Sequence, residues 1–491
     1  MRMFSKISRT AVLVGGLFMW LPYCLAQDTS SAGQQQPTTG QGQPTNQNET
    51  DSGAKPAASG GPVSEAQLVV PDTLPLAGAQ NLTLGSPAAG HNILLPSFGV
   101  ITQIQSNPYN SSQTSSPTVV SSTYLTGRLA MNRTSGSSQL SLDYLAGGSF
   151  STDAVRSSSG IQSLNFSNSH QWGRWTLLVG DHFNYTAQSP FGFGGVGGLG
   201  NLGVGLGNSG NPGFRQGFLP GQSIFLNGVP QISNAVVGEV DYASTPRSSL
   251  SFAGSYGLLD FVGSSLQNTS NATFQSGWSY LLDRKNSMSL SYRFNDLMFG
   301  PAYTGFQGIK DHGVQVSYAR RLVGRLSLQV GAGPDIRIFS APLAGSSRVV
   351  SWAAASSLIY QYHYWGAGFS YNHSLTGGSG TFLGATTDLF TGNINRSFGR
   401  DWDGGISAGY SRNQALQQTT VGANSIAPQA WFGTLQASRH FVRYGSLFIG
   451  FNVSGQSGLA SVCSQPACKV NTLSTAVSIG YNWGLRPVVM N

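Results

Sequence analysis

The side chains best suited to metal or acid–base chemistry are seven histidines: His91, His170, His182, His312, His363, His373 and His440. None of their spacings matches the short intervals at which His, Cys and carboxylate ligands hold zinc. Polar positions along extended segments account for them. We therefore predict no metal site and no bound cofactor.

A glycine-rich stretch over residues 195–200 matches the nucleotide-binding pattern G-x-G-x-x-G. A dinucleotide site also needs a preceding parallel strand, a following helix and an acidic residue about 20 positions later. The next acidic residue is Glu239, and no helical pattern follows. The match is therefore interpreted as a by-product of glycine richness.

Residues 405–409 match G-x-S-x-G, the sharp strand-to-helix elbow that carries a nucleophilic serine in hydrolases. Here the motif lies inside an alternating segment in which Ile406 and Ala408 share one face. Ser407 is therefore expected to be a hydroxyl on the polar face of a strand. We predict that the protein is not an enzyme, with a lipid hydrolase based on Ser407 as a weaker alternative.

The composition excludes an ordinary large soluble enzyme. Only 9% of the 491 residues are charged, whereas soluble domains average roughly 25%. Nine Trp, 18 Tyr and 26 Phe argue against disorder throughout the chain. The net charge is +8, but no clustered basic face with interleaved aromatics indicates nucleic-acid binding. Such a chain needs a solvent other than water on part of its surface.

Residues 1–26 have the features of a secretory signal peptide. Basic residues precede an apolar run over 10–26, which ends on the small residue Ala26. A membrane anchor is the alternative, but the run is short and no stop-transfer charges follow. Cys463 and Cys468 remain after cleavage. In an exported protein we expect them to form a disulfide that closes a small loop.

The mature chain divides into a linker and one long β region. Residues 27–65 are Gln, Thr, Ser, Gly, Pro and Asn with almost no large apolar side chain, so they cannot offset the entropy of ordering. We predict a disordered periplasmic linker over 27–90 and a β-barrel domain over 91–491.

The β region shows period-two alternation from about residue 91 to 485. In residues 473–483, for example, large side chains alternate with Ser, Ala, Gly and Asn, whereas in 447–453 Phe448 breaks the pattern. About 18 segments are long enough to cross a bilayer as tilted strands. Their approximate centres are Val100, Leu125, Leu142, Leu164, Val179, Gly238, Gly254, Gln275, Leu290, Val316, Val330, Ser357, Phe369, Thr391, Ile406, Leu435, Gly450 and Ile479.

The connections alternate in length. Short turns follow the even segments, and longer stretches follow the odd ones, including 188–230, 300–310 and 341–348. Outer-membrane barrels have short periplasmic turns and long external loops. In hydrocarbon every backbone polar group must be paired internally, so spanning strands have to close into a barrel. We predict an all-β fold, a closed antiparallel transmembrane barrel of about 18 strands (range 16–18), with both termini periplasmic and the 188–230 loop narrowing the channel.

Eight charged residues are expected to line the lumen: Asp143, Glu239, Asp241, Arg293, Arg321, Asp335, Arg337 and Asp403. Their signs are mixed, whereas a strongly selective pore needs rings of one sign. Alternatively, the same residues pair across the interior and hold the strands in register.

The chain resembles the outer-membrane β-barrel proteins of Gram-negative bacteria over about residues 91–485. Its opening segment, Leu94 to Val100 followed by Ser106-Asn-Pro, is similar to that of barrels found with exopolysaccharide systems. One departure is that eight residues follow Trp483, whereas such barrels usually end on an aromatic residue. The resemblance implies contact with outer-membrane lipids and with the outer-membrane insertion machinery.

These features together favour passive passage of small polar solutes, or of an exported polysaccharide, across the outer membrane. A structural or surface-binding barrel is the alternative from another class.

Overall fold

The computed structural model describes residues 92–106, 119–152, 158–186, 230–263, 266–300, 308–323, 325–343, 346–362, 364–377, 380, 383–399, 401–416, 427–442, 445–458, 472–485 and 488–489. The predicted signal peptide (1–26), the linker (27–90), the 188–230 loop up to residue 229, and Cys463 and Cys468 lie outside these residues. None of the described residues belongs to a helix long and apolar enough to cross a membrane.

Eighteen long strands form the wall. They are β1 Ile93–Ser106, β2 Val119–Ser135, β3 Ser138–Ser151, β4 Ser158–Trp172, β5 Trp175–Thr186, β6 Gln231–Thr245, β7 Ser248–Phe261, β8 Thr269–Leu281, β9 Asn286–Phe299, β10 Gly308–Val323, β11 Leu326–Leu343, β12 Ser346–Tyr362, β13 Trp365–Thr376, β14 Ala385–Phe398, β15 Trp402–Ala415, β16 Gln429–Val442, β17 Gly445–Ser457 and β18 Thr472–Gly484. A two-residue strand, β19, follows at Val488–Val489. Each predicted centre lies within its strand.

The wall closes into a barrel because β1 pairs antiparallel with both β2 and β18. Each strand from β2 to β17 pairs with its two neighbours in sequence, and β18 pairs with β17 as well as β1. At the seam, the Ser106 hydroxyl lies 2.7 Å from that of Thr475. Val488 and Val489 add two more pairs to β1 beyond the end of β18. The prediction of a closed antiparallel barrel of about 18 strands is confirmed.

The two ends of the barrel differ in their connections. Two to four residues usually follow each even strand, as at 136–137 and 282–285, and we name this the short-turn end. The opposite end, the long-connection end, carries most of the longer stretches. The expected loop over 341–348 is wrong: β11 and β12 continue to Leu343 and from Ser346, because their ladder resumes after a register shift.

The strands present an apolar face outward and a more polar face inward. On β16, Leu435 is 54% exposed whereas its neighbour Thr434 is 7% exposed. A monomer in water would not leave so large an apolar surface open. The outward apolar side chains include Val100, Leu125, Phe252, Phe274, Leu290, Val316, Phe369, Ile406, Ile449 and Ile479.

Phe448, the exception in the alternation, points inward and is 1% exposed. It belongs to an inward apolar cluster with Ile101, Tyr124, Leu145, Ile161 and Ala476. Gly480 makes room for it, since a Cβ there would lie 2.3 Å from the Phe448 ring. This cluster joins the first four strands to the last two on the inner side of the seam.

Candidate functional site in the barrel interior

Four charged side chains form a cluster on the inner face of β9, β10 and β11: Arg293, Asp311, Asp335 and Arg337. Side chains alternate between the inner and outer faces along each strand, and all four of these residues occupy inward positions. Asp311 shares its face with Ser317 and Ala319, opposite the exposed Val314 and Val316. Two cations and two anions make the cluster formally neutral.

Arg293 bridges both carboxylates. Its Nη2 lies 3.3 Å from an oxygen of Asp311 and 3.3 Å from one of Asp335. Arg337 approaches the same two carboxylates only at 3.8 Å. Both Asp311 and Asp335 are fully buried.

Arg337 is 1% exposed and donates from Nη1 to Thr386 Oγ1 of β14 at 2.7 Å. Its Nε and Nη2 have no hydrogen-bond acceptor among the described residues. These two nitrogens lie 3.8 Å from the carboxylates of Asp311 and Asp335, so their interaction with the cluster is a charge attraction without a hydrogen bond.

The other predicted lumen residues fall into separate places. Asp143 accepts a bidentate ion pair from Arg128 on β2, with Nη2 2.6 Å from Oδ2. Glu239 and Asp241 are neighbours on the buried face of β6. The Arg128–Asp143 pair and the four-residue cluster each have no net formal charge. The two carboxyl groups of β6 are the exception.

Arg321 and Asp403 lie near the short-turn end. Arg321 sits beside the register shift that ends the β10–β11 ladder. Asp403 accepts hydrogen bonds from the Ser397 hydroxyl at 2.6 Å and from His440 Nε2 at 3.1 Å. The eight predicted residues therefore do not meet in one site: Arg293, Asp335 and Arg337 do, and the others do not join them.

Four described residues between β13 and β14 make contacts across the interior, and we name them the crossing segment: Gly377, Gly380, Leu383 and Gly384. A Cβ on Gly377 would lie 3.5 Å from Cβ of Thr269, the first residue of β8. The carbonyl of Gly380 accepts a hydrogen bond from the Gln267 backbone N–H at 3.0 Å. Since β8 is five strands away from β13 around the wall, these contacts run through the barrel.

An apolar patch on the inner wall receives this segment near the long-connection end. Leu297, Phe299, Ile309 and Phe339 point inward and are each at most 9% exposed, and Leu383 of the segment packs among them. Leu375 and Leu416 cover the edge of this patch. Burying a leucine of this kind stabilises by about 1.5–3 kcal/mol, so the patch holds the segment inside the barrel.

Sequence reasoning missed Asp311, Arg128 and the crossing segment. Alternation contained the signal for the first two, because each occupies the polar parity of its strand. The inward position of the crossing segment has no such signal, since it depends on contacts with strands remote in sequence.

Ser407 lies within β15, paired with Asn393 and Thr434, with no strand-to-helix turn. The geometry that makes such a serine a nucleophile is therefore not formed at this position. Among the described residues no three His, Cys, Asp or Glu side chains are grouped to hold a metal ion.

The outer surface carries aromatic side chains at the short-turn end, including Trp172, Trp175, Trp365, Trp402 and Trp483. Arginines accompany them. The guanidinium of Arg396 lies 4.4 Å from the Trp365 ring centre, and that of Arg439 lies 5.3 Å from the Trp402 ring centre. Aromatic girdles of this kind flank the apolar band of membrane barrels. The closed wall therefore has the outer surface of a membrane-spanning β-barrel.

Comparison with known proteins gives similarity at the level of solved structures. The barrel is similar to OpdQ of Pseudomonas aeruginosa, with 12% identity over 81% of this chain and 99% of that chain and a TM-score of 0.40. It is similar to OccK2 (OpdF) of the same organism, solved with glucuronate, at 11% identity, 80% and 98% coverage and a TM-score of 0.41. It is also similar to a BenF-like porin from Pseudomonas fluorescens, with 10% identity over 80% of this chain and 99% of that chain and a TM-score of 0.41. No protein-family model and no curated protein matches the sequence. The description of the barrel therefore rests on its own strand pairing.

Proposed function

We propose that the barrel is a passive channel for small polar solutes. The observation that carries the proposal is a closed wall of 18 strands with an apolar outside and an inside rich in Ser, Asn, Gln and charged groups. A barrel of 16–18 strands leaves an aqueous channel unless it is plugged. No catalytic step and no cofactor is part of this proposal.

The crossing segment favours small solutes over an exported polymer. Gly377 and Gly380 contact Thr269 and Gln267 at the start of β8, and Leu383 rests on the apolar patch. Every sugar unit of an exported polymer would have to pass this obstruction in turn while the polymer stayed threaded through the barrel. A small solute needs only one gap beside the obstruction. Export of a polysaccharide stays a prediction that is based on the sequence of the opening strand.

Weak charge selectivity follows from the interior charges. The four-residue cluster is balanced, and Asp143 is neutralised by Arg128 at 2.6 Å. Cation or anion selectivity requires a ring of one sign. Glu239 and Asp241 on β6 are the exception, so we expect reversal potentials in salt gradients to be small and to show any departure from zero as a preference for cations.

We place the protein in the outer membrane, with the short-turn end and both termini on the periplasmic side. The signal-peptide features of residues 1–26 support export. The outward arginines beside the aromatic girdle are suited to lipid phosphates, so outer-membrane lipids are the proposed partners. Insertion by the outer-membrane machinery, removal of residues 1–26, a disordered linker over 27–90 and a Cys463–Cys468 disulfide belong to the same proposal.

Purified, folded protein in planar bilayers tests the channel. Stable steps of current are expected, together with swelling of liposomes in small neutral sugars. Well-folded protein that gives neither would overturn the proposal and favour a structural barrel. Ser407→Ala is the matched check on hydrolysis: any lipid hydrolysis lost with that change would contradict a purely passive channel.

A further inference from the structure

The ladder between β12 and β13 ends early. Its last pair at the long-connection side is Ala354 with His373, although β12 continues to Ser346 and β13 to Thr376. The next ladder, β13 with β14, runs to the last residue of β13, where Thr376 pairs with Ala385. Two neighbouring strands therefore separate while each remains a strand.

The separation arises because the β13–β14 end bends into the barrel. Thr386 has the parity of Phe390 and Ile394, which face outward and are exposed. Yet its hydroxyl meets Arg337, which faces inward on β11. An outward position can contact an inward one two or more strands away only if the strand end has moved inside the wall.

The inward bend leaves one edge of β12 open. On its other side, β12 keeps pairing with β11 as far as Ile338 with Arg348. Within the part of the chain that the structure describes, no strand pairs with residues 349–353 on the β13 side. Such an edge presents a row of backbone donors and acceptors that is ready to pair with another strand.

The displaced end of β13 fits this edge. Continuing the existing register would pair Ala353 with Ser374, Trp352 with Leu375, and Ser351 with Thr376. Trp352 is 51% exposed on the outer face, so Leu375 would join it there, whereas Ser351 and Thr376 would face the interior. The alternation of apolar and polar side chains at the end of β13 is thus compatible with either position, inside the barrel or paired in the wall.

We propose that the described ends of β13 and β14, Ser374 to Gly377 and Gly384 to Thr387, form a gate that exchanges between these two positions. In the inward position it narrows the channel and is held by Arg337 and the apolar patch. In the wall position it pairs with β12 and clears the interior. The inference rests on the proposed channel function and deepens it by naming how the passage is regulated.

Three double-cysteine variants test the gate, made in a Cys463→Ser, Cys468→Ser background that is also measured alone. Thr269→Cys with Gly377→Cys locks the inward position, since the 3.5 Å separation of their Cβ positions fits a disulfide. Ser351→Cys with Thr376→Cys locks the wall position.

The control is Ser357→Cys with Ser370→Cys, which cross-links an existing pair of the same two strands on the same face. We expect it to leave the conductance unchanged. The wall lock is expected to raise the conductance several-fold and the inward lock to hold it at its lowest level. Reduction should return both to the background value.

The proposal is overturned if the wall pair or the inward pair fails to cross-link in folded protein while the control forms. It is also overturned if both locks form and conduct equally. Absence of current from every variant, the wall lock included, would instead refute the channel function. Thr386→Val tests the gate without cysteines: it removes the hydroxyl that Arg337 binds, so channels should spend a larger fraction of time at high conductance, and an unchanged fraction counts against the gate.

Discussion

At the scale of single residues, the interior depends on charges that neutralise one another. The partly exposed Arg293 and the buried Arg337 face the buried carboxylates of Asp311 and Asp335. A buried pair contributes little net stability, but removing one partner leaves an uncompensated charge.

Arg337→Leu is therefore expected to lower the free energy of unfolding by about 3–5 kcal/mol. Denaturant titration of protein folded into lipid vesicles measures the change. Adding Asp311→Leu should recover most of the loss, because Arg293 and Asp335 then remain as a balanced pair at 3.3 Å. If Arg337→Leu alone lowers the free energy of unfolding by less than the double variant does, the cluster is not electrostatically coupled.

Gly480 illustrates a residue fixed by its neighbour's volume. Gly480→Ala would place a Cβ 2.3 Å from the Phe448 ring, and overpacking of this kind costs about 1–3 kcal/mol. Gly254→Ala is the matched control, because the nearest approach of its Cβ would be an ordinary 3.9 Å to the Thr273 carbonyl oxygen. Phe448→Leu in the Gly480→Ala background should restore part of the stability, and equal costs at Gly480 and Gly254 would contradict this account.

At the scale of elements, alternation and turn length were sufficient to predict the strands. All 18 centres lie within strands because one face of each strand meets lipid and the other a polar interior, so the sequence itself carries period two. Two features could not be predicted this way. The β11–β12 hairpin extends through a register shift, and Leu383 lies inside the barrel because of an apolar patch built by β9, β10 and β11.

The β8–β9 turn has a titratable side chain outside the membrane. Asp283 accepts hydrogen bonds from the Asn286 side chain at 2.6 Å and from the Lys285 backbone N–H at 2.6 Å. These bonds, the Asn286 side-chain bond first, hold the pKa of Asp283 below its ordinary value.

A lowered pKa means that this turn stabilises the fold above the ordinary carboxyl pKa of about 4 and loses that contribution as the pH falls through the depressed value. Asp283→Asn should therefore be less stable than the wild type at neutral pH, and the difference should shrink in strong acid. Unfolding measured from pH 7 to pH 2 checks this. A difference that is the same at both ends of the range would show that the carboxylate charge has no part in the turn.

At the scale of the whole molecule, the barrel is divided into a lipid face and an interior face one residue apart. Leu435→Arg puts a cation on the apolar belt and should cost about 2–4 kcal/mol if it lies near the bilayer midplane. Gln436→Arg, on the adjacent inward position, should cost much less. Folding into lipid vesicles under denaturant measures both, and equal costs would contradict the assignment of the two faces.

The seam between β1 and β18 has a consequence for the timing of biogenesis. The hydroxyls of Ser106 and Thr475 that meet there are 369 residues apart in the chain. Among the wall strands β1 is synthesised first, and it gains its second partner only after β18 has been made. Contacts of such long range form slowly. During that delay the apolar faces of the strands are exposed to water, so we expect the unfolded chain to need a chaperone in transit, and depletion of that chaperone should lower the level of this protein sooner than that of smaller barrels.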